Sequence, residues 1–355
     1  MIRVIKKLSV KNFKSIKELE IDCKRINLFI GEPNTGKSNI LETLGLLSWV
    51  EHGKDVPLKK YVRFQGVHNL FYDNSTAEPI SVYIGETEAE IELSMEFRDE
   101  VFSLGLWGTS AESTYKEPRE HGFMADLLPS VGLDYSGERI NSWTISNDML
   151  KIIKFYRFEK QDKFPDWQSS FLMPPHGSNM LAVVMGNRKL RTSMARFFKD
   201  YGFELVLRQH DKAFEFQKRM EDEDIDSIFI YPYISASDTL QRMIFYTLAI
   251  ESNENSTLIF EEPEAHAFPY YTKYLGEKIA FDETNQYFIA THNPYLLLSI
   301  LEKTPENDVN VFVTYLRDYQ TRVKCLNDEE ISELMQYEPF FNLDSFIEEE
   351  EEEEQ

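Results

Sequence analysis

The chain has 355 residues, 42% hydrophobic and 14% aromatic, which excludes a disordered or low-complexity protein and gives room for one large core or roughly two or three domains. Its formal net charge is −23; the seven glutamates Glu348–Glu354 carry 7 of these charges, and the remaining −16 opposes casual binding to nucleic acid or anionic membranes, a local basic patch aside. There is no apolar run of about 18 residues, no signal-peptide pattern after MIRVIKKLSVKNFKS, and no motif around Cys23 or Cys325, so a reducing, cytoplasmic protein without a membrane span or disulfide framework is expected.

The elements follow in chain order. LSVKNF and KELEIDC alternate apolar and polar residues and read as strands, and RINLFI is a short apolar run of the buried-strand kind. A glycine-bounded loop leads into NILETLGLLSWVEHG, where Ile40, Leu41, Leu44 and Leu47 recur at helical spacing. PISVYIG and EIELSMEF predict a hairpin or meander over 78–104. Residues 105–148 show weak periodicity and read as an insertion or arm. LKIIKFYRF predicts a strand, NMLAVVMGNRKLRTSMARFFKDYG helices ending at Gly202, and FELVLRQ, AFEFQKR and SIFIYPYI three antiparallel strands. DTLQRMIFYTLAIESN, HAFPYYTKYLGEKIAF and PYLLLSILEK predict helices, with the buried strands STLIFEE and QYFIAT between them. VNVFVTYL and TRVKCL predict a terminal hairpin. The expected division is a first lobe over 1–104, an arm over 105–149, a second lobe over 150–340 and an acidic, disordered tail over 341–355.

Four motifs carry chemistry. GEPNTGKS fills G-x-x-x-x-G-K-[ST] at Gly31, Glu32, Pro33, Asn34, Thr35, Gly36, Lys37 and Ser38, after a strand and before a helix. Small residues let backbone N–H groups curl around phosphate oxygens, Lys37 can reach the β- and γ-phosphates, and the Ser38 hydroxyl can hold Mg²⁺. An ordinary glycine turn is the bland alternative, and the strand–loop–helix setting disfavours it. STLIFEEPEAH ends a buried strand with Glu261 and Glu262; one carboxylate can serve Mg²⁺ while the next orients or deprotonates water. Alone, this pair would read as a solvated turn. In ATHNPYLLL, His292 follows a second buried strand, separated from Glu262 by one helix and one returning strand, an interval that brings it back beside the carboxylates. SASDTLQRMIF opens a helix, with Ser237 or Asp238 as its cap.

The order of these pieces resembles the ABC-type ATPases of the RecF/SMC/OLD group, and most of all the stand-alone RecF-like AAA ATPases with an E-E-P-E-A-H box. The resemblance rests on VKNFKS (Val10–Ser15), GEPNTGKSN through Asn39, PPHGSN (Pro174–Asn179), SDTLQR (Ser237–Arg242), FEEPEAHAFP (Phe260–Pro269) and ATHNP (Ala290–Pro294), over roughly 1–100 and 150–315. It implies an α/β P-loop fold with mixed parallel and antiparallel sheets, ATP and Mg²⁺ as cofactors, and an ATP-dependent homodimer. It also implies that Glu262 is the catalytic glutamate, His292 the switch histidine, Ser237 the signature serine on the partner's γ-phosphate, Lys14 a nucleotide contact and Gln65 the metal-sensing glutamine. Two features depart from the group. Glu261 replaces the usual aspartate, which puts the hydrolysis rate in question, and SDTLQR lacks the paired glycines of a transporter subunit. No D-x-D follows His292, so no TOPRIM nuclease is expected. The leading function is an ATPase that drives or gates an effector protein, in DNA maintenance or antiphage defence. The rivals are a nucleotide-gated scaffold with little hydrolysis and a RecF-like DNA repair factor, with nucleic-acid binding left open.

Overall fold

The computed structural model describes residues 5–86, 89–109, 131–141, 147–168, 170–221, 226–336, 340 and 343–347. The alternating segments form β1 (Lys7–Phe13) and β2 (Ile16–Asp22), and the apolar run forms β3 (Ile26–Gly31). Helix α1 (Lys37–His52) follows the loop, then β4 (Ile80–Gly85), β5 (Glu90–Arg98), β6 (Val101–Thr109) and β7 (Val131–Leu133). The short α2 (Asp148–Lys151) precedes β8 (Ile153–Tyr156), α3 (Met180–Gly186) and α4 (Arg188–Lys199). Strands β9 (Glu204–Arg208), β10 (Ala213–Glu221) and β11 (Asp226–Pro232) lead to α5 (Asp238–Glu251). The chain continues through β12 (Thr257–Glu261), α6 (Pro269–Ala280), β13 (Gln286–Ala290), α7 (Pro294–Leu301), β14 (Val309–Arg317), β15 (Gln320–Cys325) and α8 (Asp328–Gln336).

Three sheets result. One is antiparallel, in the order β2-β1-β4-β5-β6-β7, and a smaller antiparallel one runs β11-β10-β9. The sheet between them in chemistry, β15-β14-β3-β13-β12-β8, is parallel except for β15 at its edge. Its parallel strands therefore present their carboxyl ends along one edge, where open α/β sheets bind ligands. The phosphate loop, Glu261, Glu262, Thr291, His292 and Arg157 all stand at that edge because each directly follows β3, β12, β13 or β8.

Helix α1 is sandwiched. Its Leu41, Leu44 and Leu47 share a core with Val10, Val82 and Leu93 of the antiparallel sheet and with Phe29, Phe155, Ile259 and Phe288 of the parallel one. Burial of each such side chain stabilises by about 1.5–3 kcal/mol. A helix covered on several sides also buries its polar residues, and Glu42, Thr43 and Ser48 are all fully buried. The opposite face of the parallel sheet packs under α3, α4, α5, α6 and α7 through residues such as Ile30, Phe260 and Ile289.

Two expected boundaries are corrected. Residues 105–109 complete β6, and Val131–Leu133 pair back onto it through Phe102↔Leu133 and Leu104↔Val131, so both belong to the antiparallel sheet. Leu104, Leu106, Val131 and Leu133 are buried, while Gly105 and Gly108 dilute the alternation that would have revealed the strand. Residues 110–130, the middle of the expected arm, lie outside the described residues. The tail also begins later than 341. Leu343 and Phe346 are buried in the core, and Lys324 Nζ donates to the Phe346 carbonyl. Glu348–Gln355 lie outside the described residues. Deleting those eight residues is expected to leave the melting temperature nearly unchanged, since a like-charge run buries no apolar surface. Phe346→Ala removes a core aromatic, a change costing about 3–5 kcal/mol in packed cores, and should lower it by several degrees in a thermal melt.

Candidate active site

The phosphate loop is shaped by two glycines that nothing else could replace. Gly31 has φ 143°, and a Cβ there would lie 2.3 Å from the Thr314 carbonyl oxygen on β14; Gly36 has φ 102°, and its Cβ would lie 1.9 Å from Thr321 Oγ1. Thr35 Oγ1 donates to the Glu32 carbonyl at 2.9 Å and lies 2.8 Å from Thr314 Oγ1, which pins the loop to β14. No side chain caps the start of α1, so its first-turn N–H groups stay available to an anion. Lys37 Nζ sits inside the loop, donating to the carbonyls of Gly31 at 2.9 Å and Glu32 at 2.6 Å. Burial pushes this ammonium down to about 8, against the pull of Glu262 and Glu32. A phosphate in the loop would supply the negative charge that this lysine lacks.

Beside the loop, Glu261 ends β12, with Ser38 among the groups that act on its carboxyl. Glu261 Oε2 accepts from Arg157 Nε at 3.1 Å and Nη2 at 2.7 Å, and Oε1 pairs with Arg63 Nη2 at 3.0 Å. Burial alone would raise the Glu261 carboxyl, but Arg157 and Arg63 overcome it and hold it below its ordinary range. Glu262 takes a left-handed φ of 42°, its N–H donating to the Ala290 carbonyl at 2.9 Å. A non-glycine residue in that region is strained, and such strain gathers at functional sites. Glu262 Oε1 lies 3.4 Å from His292 Nε2. Burial and the Lys37 charge lower the His292 imidazole, with Glu262 opposing them, which favours the neutral ring.

Glu264, which the sequence reading left without a role, stands behind this group. It is buried; Oε1 accepts from the Thr291 hydroxyl, and Oε2 has no partner. Burial pushes its carboxyl up to about 7. Thr291 Oγ1 accepts the Asn293 N–H at 3.0 Å, and Asn293 caps α7 through the N–H groups of Tyr295 and Leu296. This chain of contacts sets the direction of His292.

The structure thus gathers Lys37, Ser38, Glu261, Glu262 and His292. Glu32, Pro33 and Asn34 form the exposed crest of the loop, Asn34 at φ 65°. Asn39 donates to Ser15 Oγ at 2.7 Å and so faces the β1–β2 turn. Lys14 pairs with Glu42 and donates to the Arg63 carbonyl at 2.6 Å, on the flank of the site. Gln65 is exposed, and the residue of its segment that reaches Glu261 is Arg63. Ser237 is exposed at the start of α5 and accepts from the Leu240 N–H at 3.3 Å; among the described contacts it touches none of the five gathered residues. Thr239 Oγ1 donates to the His266 carbonyl at 2.9 Å and ties α5 to the acidic box.

Among the described residues no group of three or more His, Cys, Asp or Glu could hold a metal by itself. A divalent ion here would take Ser38 and Glu261 as protein donors and most other ligands from nucleotide and water, which is how Mg²⁺ is commonly held with phosphates. Among the described residues no helix is long and apolar enough to cross a membrane.

Residues 4–166 match the AAA ATPase domain family. The DNA replication and repair protein RecF of Phocaeicola vulgatus is 29% identical over 86 residues, 23% of this chain and 23% of its own. RecF of Leptospira interrogans is 32% identical over 68 residues, 19% of this chain and 18% of its own. An uncharacterized protein of Methanocaldococcus jannaschii is 32% identical over 89 residues, 22% of this chain and 41% of its own. The chain therefore spans well under two thirds of the curated relatives it matches. An SMC head bound to the C-terminal winged-helix domain of ScpA covers 93% of this chain and 99% of its own, at 14% identity and TM-score 0.49. The SMC head domain from Thermotoga maritima covers 91% and 99%, at 16% identity and TM-score 0.41. Those likenesses are loose, and the fold stands on the strand order and the loop. The family match opens ahead of β1 and runs past Arg157, so the segment that carries the phosphate loop is similar to AAA ATPase domains, and shorter stretches of the chain are similar to RecF.

Proposed function

We propose that this chain binds ATP with Mg²⁺ at the carboxyl edge of its parallel sheet, hydrolyses the γ-phosphate bond, and closes with a second copy around two nucleotides to drive or gate an effector protein. The observation that carries the reading is the Glu262–His292 pair, 3.4 Å apart and within electrostatic reach of Lys37. The loop N–H groups and Lys37 would bind the β- and γ-phosphates, and Ser38 with Glu261 would hold Mg²⁺. Bound there, Mg²⁺ supplies neutralisation of the charge that develops on the phosphate oxygens. Glu262 would accept the proton of the attacking water. His292, kept neutral, would donate a hydrogen bond to water or phosphate, with Glu264 and Thr291 holding its turn. RecF relatives favour DNA maintenance as the setting, and antiphage defence is the other process that the group resemblance suggests.

A second reading, a nucleotide-gated scaffold with slow turnover, is favoured by one observation: Glu261 stands where an aspartate is usual and is clasped by two arginines. Steady-state phosphate release separates the two readings.

Ser237→Arg tests the dimer. Ser237 is exposed beside free helix N–H groups, a place where a partner's γ-phosphate would fit and an arginine would not. The variant should bind ATP normally yet fail to dimerise, as light scattering with ATP and Mg²⁺ would record in a Glu262→Gln background. A dimer of normal affinity would mean that the site is complete within one subunit.

A further inference from the structure

We propose that Arg63 is an internal counter-cation of Glu261, displaced when a divalent ion enters, so that metal binding and the departure of Arg63 from Glu261 are one event. The inference rests on the nucleotide-site reading above and adds to it a residue that controls metal affinity.

The contacts on Glu261 lead there. A carboxylate offers about four lone-pair positions, two on each oxygen. Arg157 Nε and Nη2 both hydrogen-bond Oε2, and Arg63 Nη2 stands 3.0 Å from Oε1 in an ion pair. A divalent ion reaches this carboxylate at Oε1, directly or through a water, where the Arg63 guanidinium now stands. One arginine must therefore give way.

Arg157 is the fixed one. Its side chain is 23% exposed, stacks over Phe155 at 5.1 Å and also donates to Glu42 Oε1 at 3.3 Å. Its backbone N–H donates to the Pro175 carbonyl at 3.0 Å, and its carbonyl lies 2.7 Å from His176 Nδ1. Arg63 is the free one, with a side chain 55% exposed. Its backbone is anchored at both ends, the N–H donating to Glu42 Oε1 at 3.2 Å and the carbonyl accepting from Lys14 Nζ at 2.6 Å. The guanidinium can therefore turn away without moving the segment that carries it.

The fully buried Glu42 makes this turn tolerable. It accepts from Lys14, Arg63 and Arg157, so it keeps two cationic partners after Arg63 has gone. With Arg63 seated, a positive charge stands beside the carboxylate oxygen that a metal ion would take; with Arg63 turned out, that charge is gone.

The test is a titration with Mn²⁺, read by electron paramagnetic resonance at saturating ADP, so that no turnover intervenes. Arg63→Gln should bind Mn²⁺ about tenfold more tightly than wild type, the equivalent of about 1.4 kcal/mol for removing one like charge beside the metal. Arg63→Lys, which keeps the charge but lacks the fork that bridges Glu42 and Glu261, should fall between the two. Lys59→Gln removes the same charge from the neighbouring exposed turn and should leave Mn²⁺ affinity unchanged. Unchanged or weaker Mn²⁺ binding in Arg63→Gln overturns the proposal, and so does an equal gain in Lys59→Gln, which would trace the effect to bulk charge. Failure of wild type to bind ADP at all would instead remove the nucleotide-site reading beneath it.

Discussion

Lys37→Ala is expected to weaken ATP binding by about 10- to 150-fold, the equivalent of a charge-assisted contact worth about 1.5–3 kcal/mol. The ammonium already lies at the centre of the loop, where it donates to the Gly31 and Glu32 carbonyls. Those acceptors are poorer partners than a phosphate, and the pKa depressed to about 8 reflects how little countercharge the buried site gives the lysine. An incoming polyphosphate supplies that charge, so the contact forms fully only with nucleotide bound. The fold should not suffer in the same measure. Removing a partly desolvated cation relieves one cost while leaving two carbonyls without a donor, and these effects oppose each other. Isothermal titration and a thermal melt on the same sample separate the outcomes. Unchanged affinity in Lys37→Ala would end the phosphate-loop reading, whatever the melt shows.

Much of the site was legible because its parts are local in sequence. Gly31 to Ser38 is one contiguous loop, and its two left-handed glycines are the positions that the motif reserves for glycine. The meeting of Glu262 with His292 followed from an interval that holds one helix and one strand, and the pairing Glu261↔Ala290 between parallel β12 and β13 realises it. The arginine clasp was not legible in this way. Arg157 reaches Glu261 and Arg63 reaches Glu42 across long separations, and ion pairs of that kind leave no periodic trace. One signal did exist. Arg157 directly follows a strand that lies parallel to β12, so its place at the carboxyl edge is implied once β8 is given its neighbour. Glu42 gave another, a carboxylate in the apolar middle of its helix, which must be paired where the helix is buried. The outer strands failed for a different reason. Gly105 and Gly108 broke the alternation of β6, and three-residue β7 is too short to show any period. Leu343 and Phe346 were hidden by the glutamates that follow them, whose composition dominated the reading of the whole segment.

Glu262→Gln should retain ATP binding and reduce turnover by about 10²–10⁴-fold, the range that a positioned general base contributes. The amide keeps the size of the side chain and can still hydrogen-bond a water, but it cannot take that water's proton. Half of the Glu262 side chain is exposed, so its replacement leaves no buried charge behind and the fold should hold. Losing the carboxylate also removes its attraction for Lys37, which leaves that ammonium more available to phosphate. The variant should therefore hold ATP in both composite sites and accumulate as a nucleotide-bound dimer, visible by light scattering. Glu261→Gln is expected to behave differently. It strips the countercharge from Arg157 and Arg63 beside the buried Glu42, so metal affinity and stability should fall together with turnover. The contrast between the two variants assigns the roles. If Glu262→Gln turns over like wild type while Glu261→Gln is inactive yet stable, the water is activated by the arginine-clasped carboxylate, and the left-handed turn at Glu262 serves only to aim His292.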